Sequence, residues 1–406
     1  MNKEKKRVPI LFLDNTFTFG GAINSLLYLL RAIDKNTYEP ILITGQPDTF
    51  LKDKFRFIQY YRVNIKLPWI HNYTFKKITN LRLFSSGLFY SAAKKIRHIF
   101  WLFFITFPEA FHYYKIGKKH NVRIVHLNNI LGSQLAGILA SKMLRVPCVA
   151  HLRHFEIPDS ITRLYAKLID EHIAISNAIK ENLLELNVPN EKITVIFDAI
   201  DLDEFNKSIS FEYLKKEFHI SDKNKLFGIF GRIISWKGIK EFISAAEIVF
   251  KLVPESSAFI VGDRSDGESL YYQEVLDLIS KKKLNDKIIL TGFRTDISAL
   301  MKIMNVVVHA STEPEPFGLV LIEAMAMAKP VISTNIGGPI DIVDDGKTGL
   351  LIDSMDFQTM AQAIAFLLKE RKTSEMMGRK GFKKVNDLFT KERYAKQIQK
   401  LYGRIL

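Results

Sequence analysis

Thr312-Glu313-Pro314-Glu315-Pro316-Phe317-Gly318-Leu319-Val320-Leu321-Ile322-Glu323-Ala324-Met325-Ala326 is the stretch whose reading decides the fold. Two prolines and a glycine end a strand and hold a tight loop. The apolar run that follows opens a helix at about Gly318, where the first amides have no internal acceptor. A helix mouth of this kind attracts an anion. Glu323 is a lone carboxylate inside the apolar run, and burying it unpaired is costly, so it needs donors. Either a Lys or Arg of the core pairs with it, or a ligand does. Glu315 lies on the loop that feeds the same helix mouth. Two carboxylates bracketing an anion site suit a ligand with both phosphates and hydroxyls, such as a nucleotide sugar.

The chain continues through Lys329-Pro330-Val331-Ile332 and Gly337-Gly338-Pro339. Together with Glu315-Pro316-Phe317-Gly318 and Glu323-Ala324-Met325-Ala326, this resembles the Glu-x7-Glu motif of the group 1 family of retaining glycosyltransferases, which have the GT-B fold. Glycogen and sucrose synthases and many bacterial lipopolysaccharide, capsule and mannosyl transferases are members. The resemblance runs from residue 8 to the end and is weakest between 45 and 120. It implies an α/β chain of two Rossmann-like domains facing across a cleft. Residues 1–200 would form the acceptor-binding domain and 201–388 the nucleotide-sugar-binding domain. Residues 389–406 would be a C-terminal helix packing back on the N-terminal domain.

Composition agrees with a soluble two-domain chain: 406 residues, 47% apolar and 25% charged. A single cysteine, Cys148, rules out an internal disulfide and fits a reducing compartment. The charged start, Met1 to Arg7, does not read as a signal peptide. The longest apolar run, Ile99 to Phe107, is too short to span a bilayer. The net charge of +15 is uneven, because residues 50–123 hold 15 Lys and Arg against only Asp53 and Glu109. The same segment holds 19 aromatics. Basic and aromatic residues together suit an anionic membrane surface, the alternative being an ordinary lysine-rich solvated face.

In chain order, Val8 to Leu13 reads as a strand, and Phe19-Gly20-Gly21-Ala22 opens a helix. A Gly-Gly turn between strand and helix can form a backbone nest beside a phosphate, or be only a turn. Its position resembles the family's first-domain loop next to the donor phosphates, which implicates Gly20 and Gly21. Tyr38 to Thr44 is a second strand, and Ser91 to Trp101 and Phe107 to His120 look helical. Arg123 to Leu127, a helix from about Gly132 to Leu144, and Val146 to Ala150 give a β-α-β pattern. His151-Leu152-Arg153-His154 stands at the end of that last strand, where ligands of parallel sheets gather. A lone histidine there is ordinarily structural. The family has a histidine there that faces the donor sugar; His151 is the better match and His154 the reserve. Ser176 reads as a helix cap with no chemistry.

Asp198-Ala199-Ile200-Asp201 resembles the family's Asn-Gly-Val-Asp crossover, but Asp-Ala tolerates positive φ less readily than Asn-Gly. The second half opens at Lys225. Strand Leu226 to Phe230 leads into Gly231-Arg232-Ile233-Ile234-Ser235-Trp236-Lys237-Gly238, then a helix Ile239 to Leu252. Arg232 and Lys237 are either ordinary loop cations or, as the resemblance implies, hold the donor diphosphate.

By that resemblance the catalytic residues are His151, Arg232, Lys237 and Glu315. Donor binding would involve Gly20, Gly21, Arg232, Lys237, Glu315, Phe317, Gly318, Leu319 and Glu323. Glu315 would hold sugar hydroxyls, Glu323 the ribose, and the helix mouth at Gly318 the departing diphosphate. No metal and no cofactor are expected, since no Asp-x-Asp stands at a plausible strand end. The partners implied are a UDP- or GDP-sugar, a glycan or lipid-linked acceptor and an anionic membrane surface, with no nucleic acid. The expected reaction is retaining, metal-independent hexosyl transfer in cell-surface polysaccharide synthesis, by a cytoplasmic protein peripheral on the inner face of the membrane. The rivals are a non-catalytic nucleotide-sugar-binding subunit and a GT-B sugar-nucleotide epimerase.

Overall fold

The structure, a computed structural model, describes residues 7–14, 20–63, 102–205, 209–264 and 267–406. Strands made of near-continuous apolar runs are buried on both faces, which is the signature of parallel sheets covered by helices. Seven strands form one sheet: β1 (Val8–Asp14), β2 (Tyr38–Thr44), β3 (Gln59–Arg62), β4 (Ile124–Asn129), β5 (Cys148–Leu152), β6 (Glu171–Ala174) and β7 (Ile193–Val195), with the polar, partly exposed β3 at the edge as the exception to the apolar pattern. Six form another: β8 (Lys225–Phe230), β9 (Ser256–Val261), β10 (Ile288–Gly292), β11 (Val306–His309), β12 (Val331–Thr334) and β13 (Gly349–Ile352). Their orders are β3-β2-β1-β4-β5-β6-β7 and β10-β9-β8-β11-β12-β13. In each, the chain works outward from its first strand and then crosses to that strand's other side. The switch points fall between β1 and β4, where Asp14 stands opposite Asn128, and between β8 and β11, where Ile229 stands opposite Val308. Open α/β sheets bind ligands beyond the strand ends at such points.

The chain divides into two compact units. One holds Met1–Ala174, Lys180–Val195 and Ala395–Leu406; the other holds Ile175–Ile179 and Ile196–Tyr394. The sequence reading places the bounds at 200 and 388 instead. In the first unit the end of the last helix, Lys391–Ile405, is tied to the sheet side by Tyr402, whose hydroxyl meets His126 Nδ1 at 2.7 Å. Gln399 accepts the Asp34 N–H at 2.9 Å. In the second unit Phe227, Ile260, Val306 and Val308 share one core with the helices Ile239–Leu252 and Phe357–Lys369. The expected helix Ser91 to Trp101 lies outside the described residues. At the crossover, neither Asp198 nor Ala199 adopts positive φ, so the replacement of Asn-Gly leaves the turn unstrained. Both residues are buried.

Candidate active site

The two motif loops of the second unit meet at its switch point. One follows β8 and carries Arg232 and Lys237; the other follows β11 and carries Glu315. Gly238 makes the approach possible: its φ is 68°, and a Cβ there would lie 1.8 Å from the Ala310 carbonyl oxygen. The Thr312 N–H adds a bond to the Trp236 carbonyl at 2.8 Å. The result is an ion pair across 78 residues of sequence, Lys237 Nζ to Glu315 Oε2 at 2.5 Å. Both side chains are mostly buried, and the ammonium also lies 4.3 Å from the Trp236 ring centre.

Glu315 has two further partners on the same oxygen, His309 Nε2 and Ser311 Oγ, each at 3.2 Å. His309 Nδ1 in turn faces Ser333 Oγ at 3.1 Å. With Nε2 donating to the carboxylate, Nδ1 is left to accept from the serine. Burial alone would push the Glu315 carboxyl up. The Lys237 charge and the His309 ring overcome it and hold the group well below the usual carboxylate range. The loop is backed by Gly337, whose φ is 72° and whose Cβ would come within 2.4 Å of the Glu315 carbonyl oxygen. Arg232, by contrast, is exposed and has no ion pair among the described residues.

The helix Leu319–Ala326 starts where the sequence predicts, with Gly318 as its N-cap at φ 107°. Phe317 points away from solvent, packed against Phe197 and Phe389 with ring centres 6.2 and 5.9 Å apart. Its side chain is structural, and what it can offer a ligand is backbone. Ser176 caps its helix through the Ile179 N–H at 3.1 Å, and it also donates to the Pro316 carbonyl at 2.6 Å. It therefore braces the motif loop as well, a role that capping chemistry alone did not announce.

Glu323 resolves the alternative left open by the sequence. No Lys, Arg or other described side chain is hydrogen-bonded to its carboxylate. Burial, and secondarily the charge of Glu204, pushes its pKa up to about 7. The core does not pair it.

In the first unit two expectations are corrected. Gly20 is extended at φ −174°, and neither Gly20 nor Gly21 is left-handed, so these glycines form no nest. They form the mouth of the helix Gly21–Ala32, closed by the Asn24 N–H on the Gly20 carbonyl at 3.2 Å. His151 lies within β5 rather than beyond it. Pro147 has no N–H to give the ladder, so the strand begins at Cys148, while the Pro147 carbonyl takes the Val125 N–H at 3.0 Å. His151 is 1% exposed, with its ring centre 5.4 Å from that of His126. Burial, then the neighbouring Arg153 and His126, holds its pKa well below the ordinary value, so the ring is neutral. Arg153 is fixed by Asn128 Oδ1 at 2.7 Å, and Asn128 donates to Asp14 at 2.8 Å. His154 is the exposed histidine on the loop after β5.

Residues 210–384 match the family of glycosyl transferases group 1, and residues 19–204 match glycosyltransferase family 4. The chain is a glycosyltransferase whose second half matches the group 1 family. Among its relatives is an N-acetyl-alpha-D-glucosaminyl L-malate synthase of Bacillus anthracis, 26% identical over 72% of this chain and 77% of the relative. Another is the UDP-Gal:alpha-D-GlcNAc-diphosphoundecaprenol alpha-1,3-galactosyltransferase of Escherichia coli, 29% identical over 71% of this chain and 77% of that one. The fold matches Anabaena HepE in complex with UDP-glucose, with a TM-score of 0.77 and 23% identity over 98% of this chain and all of that one. The two parallel-sheet units are thus those of GT-B glycosyltransferases.

For this glycosyltransferase, sequence reasoning missed His309, Ser311 and Ser333. A signal was present in Val306-Val307-Val308-His309-Ala310-Ser311, an apolar strand ending in polar residues one loop before Glu315. Ser333 had none, because it reaches the site only through the pairing of β11 with β12.

Proposed function

We propose that this glycosyltransferase moves a hexosyl group from a UDP-sugar to a lipid-linked saccharide, with retention of anomeric configuration and without a metal, in the building of a cell-surface polysaccharide. The protein would work as a peripheral protein on the inner face of the membrane. The observation that carries the reading is the Lys237–Glu315 pair at the β8/β11 switch point, beside the helix mouth at Gly318 and the uncommitted Arg232. The donor and acceptor class follow the Escherichia coli relative, whose name contains both.

In this reading the diphosphate draws the Lys237 ammonium from Glu315 and is also met by Arg232 and the Leu319 helix mouth. Glu315, kept ionised, then accepts hydroxyls of the donor sugar. Glu323 accepts the ribose hydroxyls, which supply the donors that the core withholds. The bond from the sugar's anomeric carbon to the diphosphate oxygen breaks. The acceptor oxygen bonds to that carbon on the same face, and its proton passes to a phosphate oxygen. Charge building on the diphosphate is balanced by preorganised cations and amides, where such groups act most strongly.

Incubation with UDP- and GDP-sugars, each with a lipid-diphosphate-linked sugar acceptor, tests this. Transfer from a UDP-sugar, with the anomeric configuration retained by NMR, is the expected result. An inverted product, or binding of nucleotide sugars without any transfer, would overturn it.

A further inference from the structure

The helix Phe107–Lys119, continued backwards by the single π turn Leu102–Thr106, carries a surface that no part of the proposed chemistry uses. One face is anchored. Ala110, Tyr113, Ile116 and Gly117 are buried, and a Cβ at Gly117 would lie 2.5 Å from Leu144, at the end of the neighbouring helix Leu135–Leu144. The opposite face exposes four phenylalanines over three turns: Phe103 at 60%, Phe104 at 68%, Phe107 at 40% and Phe111 at 47%. Phe103 and Phe107 lie 5.7 Å apart, and Phe111 stacks on Tyr114 at 5.9 Å. Soluble proteins seldom leave so many large apolar side chains together in water without a partner for them.

Charge decides which partner. Past the rings come Lys115, Lys118 and Lys119, none in an ion pair among the described residues. Lys115 sits over the Phe111 ring at 4.6 Å and Lys118 over Tyr114 at 5.9 Å. The helix's single carboxylate, Glu109, is turned to the Tyr113 hydroxyl and mostly buried. The face is therefore apolar at one end, purely cationic at the other and rigidly held. An anionic bilayer matches that pattern, with rings entering the acyl boundary and ammonium groups meeting lipid phosphates. No helix of the described residues is long and apolar enough to cross a membrane. We infer that the Phe103–Phe111 face, with Lys115, Lys118 and Lys119, is the docking surface for an anionic lipid bilayer. This rests on the proposed reading only in that a lipid-linked acceptor is met at the same surface.

The test is co-sedimentation of the full chain with phosphatidylcholine vesicles, with and without phosphatidylglycerol. Each vesicle set is run at low and high salt, with UDP thermal shift measured in parallel. Wild type should bind the anionic vesicles. The F103S/F104S variant should lose at least about tenfold in affinity at either salt concentration, since ring burial is not screened. The K115Q/K118Q variant should lose at least about tenfold at low salt and little at high salt. Retention of the UDP shift by both variants shows that the fold and nucleotide site are intact. No binding to either vesicle, or wild-type binding by the ring variant, overturns the inference. So does absence of vesicle binding with self-association that the ring variant abolishes, which would make the face an interface between copies. Vesicle binding through this face with no UDP shift in any version would leave this inference standing and sink the reading of a UDP-sugar as donor.

Discussion

Replacing Glu323 by Gln should stabilise the empty protein while weakening its grip on nucleotide. The carboxylate has no hydrogen-bond or ion-pair partner among the described residues, and burial raises its pKa from 4.5 to about 7. For an acid with a raised native pKa, the native state holds a proton that the unfolded chain has released. That contribution is fully present below pH 4.5 and is lost as pH rises through about 7. A tenfold change in a proton's affinity corresponds to about 1.4 kcal/mol, so between about pH 5 and pH 8.5 the wild type forfeits roughly 2–3 kcal/mol that the Gln variant keeps. Partial solvent contact makes this the upper end. In thermal unfolding, E323Q should match wild type near pH 5 and exceed it by roughly 5 °C near pH 8.5. Its affinity for UDP should fall about tenfold at the higher pH, because a charge-assisted bond to the ribose becomes a neutral one. A variant less stable than wild type at the higher pH would show that the carboxylate has a partner. Unchanged UDP affinity would remove it from the nucleotide site.

The other predictions concern the switch-point loops. Arg232→Ala and Lys237→Ala should each cut turnover by about two orders of magnitude or more with the fold intact; near-normal turnover in both would remove them from the diphosphate. Lys237→Met leaves Glu315 buried without its cation, held only by His309 and Ser311, and should cost about 3 kcal/mol in denaturant unfolding, with part of the loss restored in Lys237→Met/Glu315→Gln. A double mutant no more stable than the single would refute the coupling. Activity should survive exhaustive EDTA treatment. Loss on chelation, restored by manganese or magnesium, would show that a metal does the work assigned here to Arg232, Lys237 and the helix mouth.

By itself the sequence determined the two α/β series, because buried parallel strands are written as local apolar runs punctuated by Gly and Pro. It also determined the helix mouth at Gly318 and marked the loops at 231–238 and 312–318 as carriers of charged side chains, since turn residues and short motifs are read within a few positions. What it left open is what depends on which strands become neighbours. Lys237 reaches Glu315 only because the sheet sets β8 beside β11, and Ser333 reaches His309 only because β12 pairs on the other side. The absence of a partner for Glu323 is likewise a tertiary fact: a helix's period shows which residues face inward, not which cations face them there. The run of β5 on to Leu152, which buries His151 and leaves His154 outside, was settled by its pairing with β4 and β6, a register that belongs to the sheet.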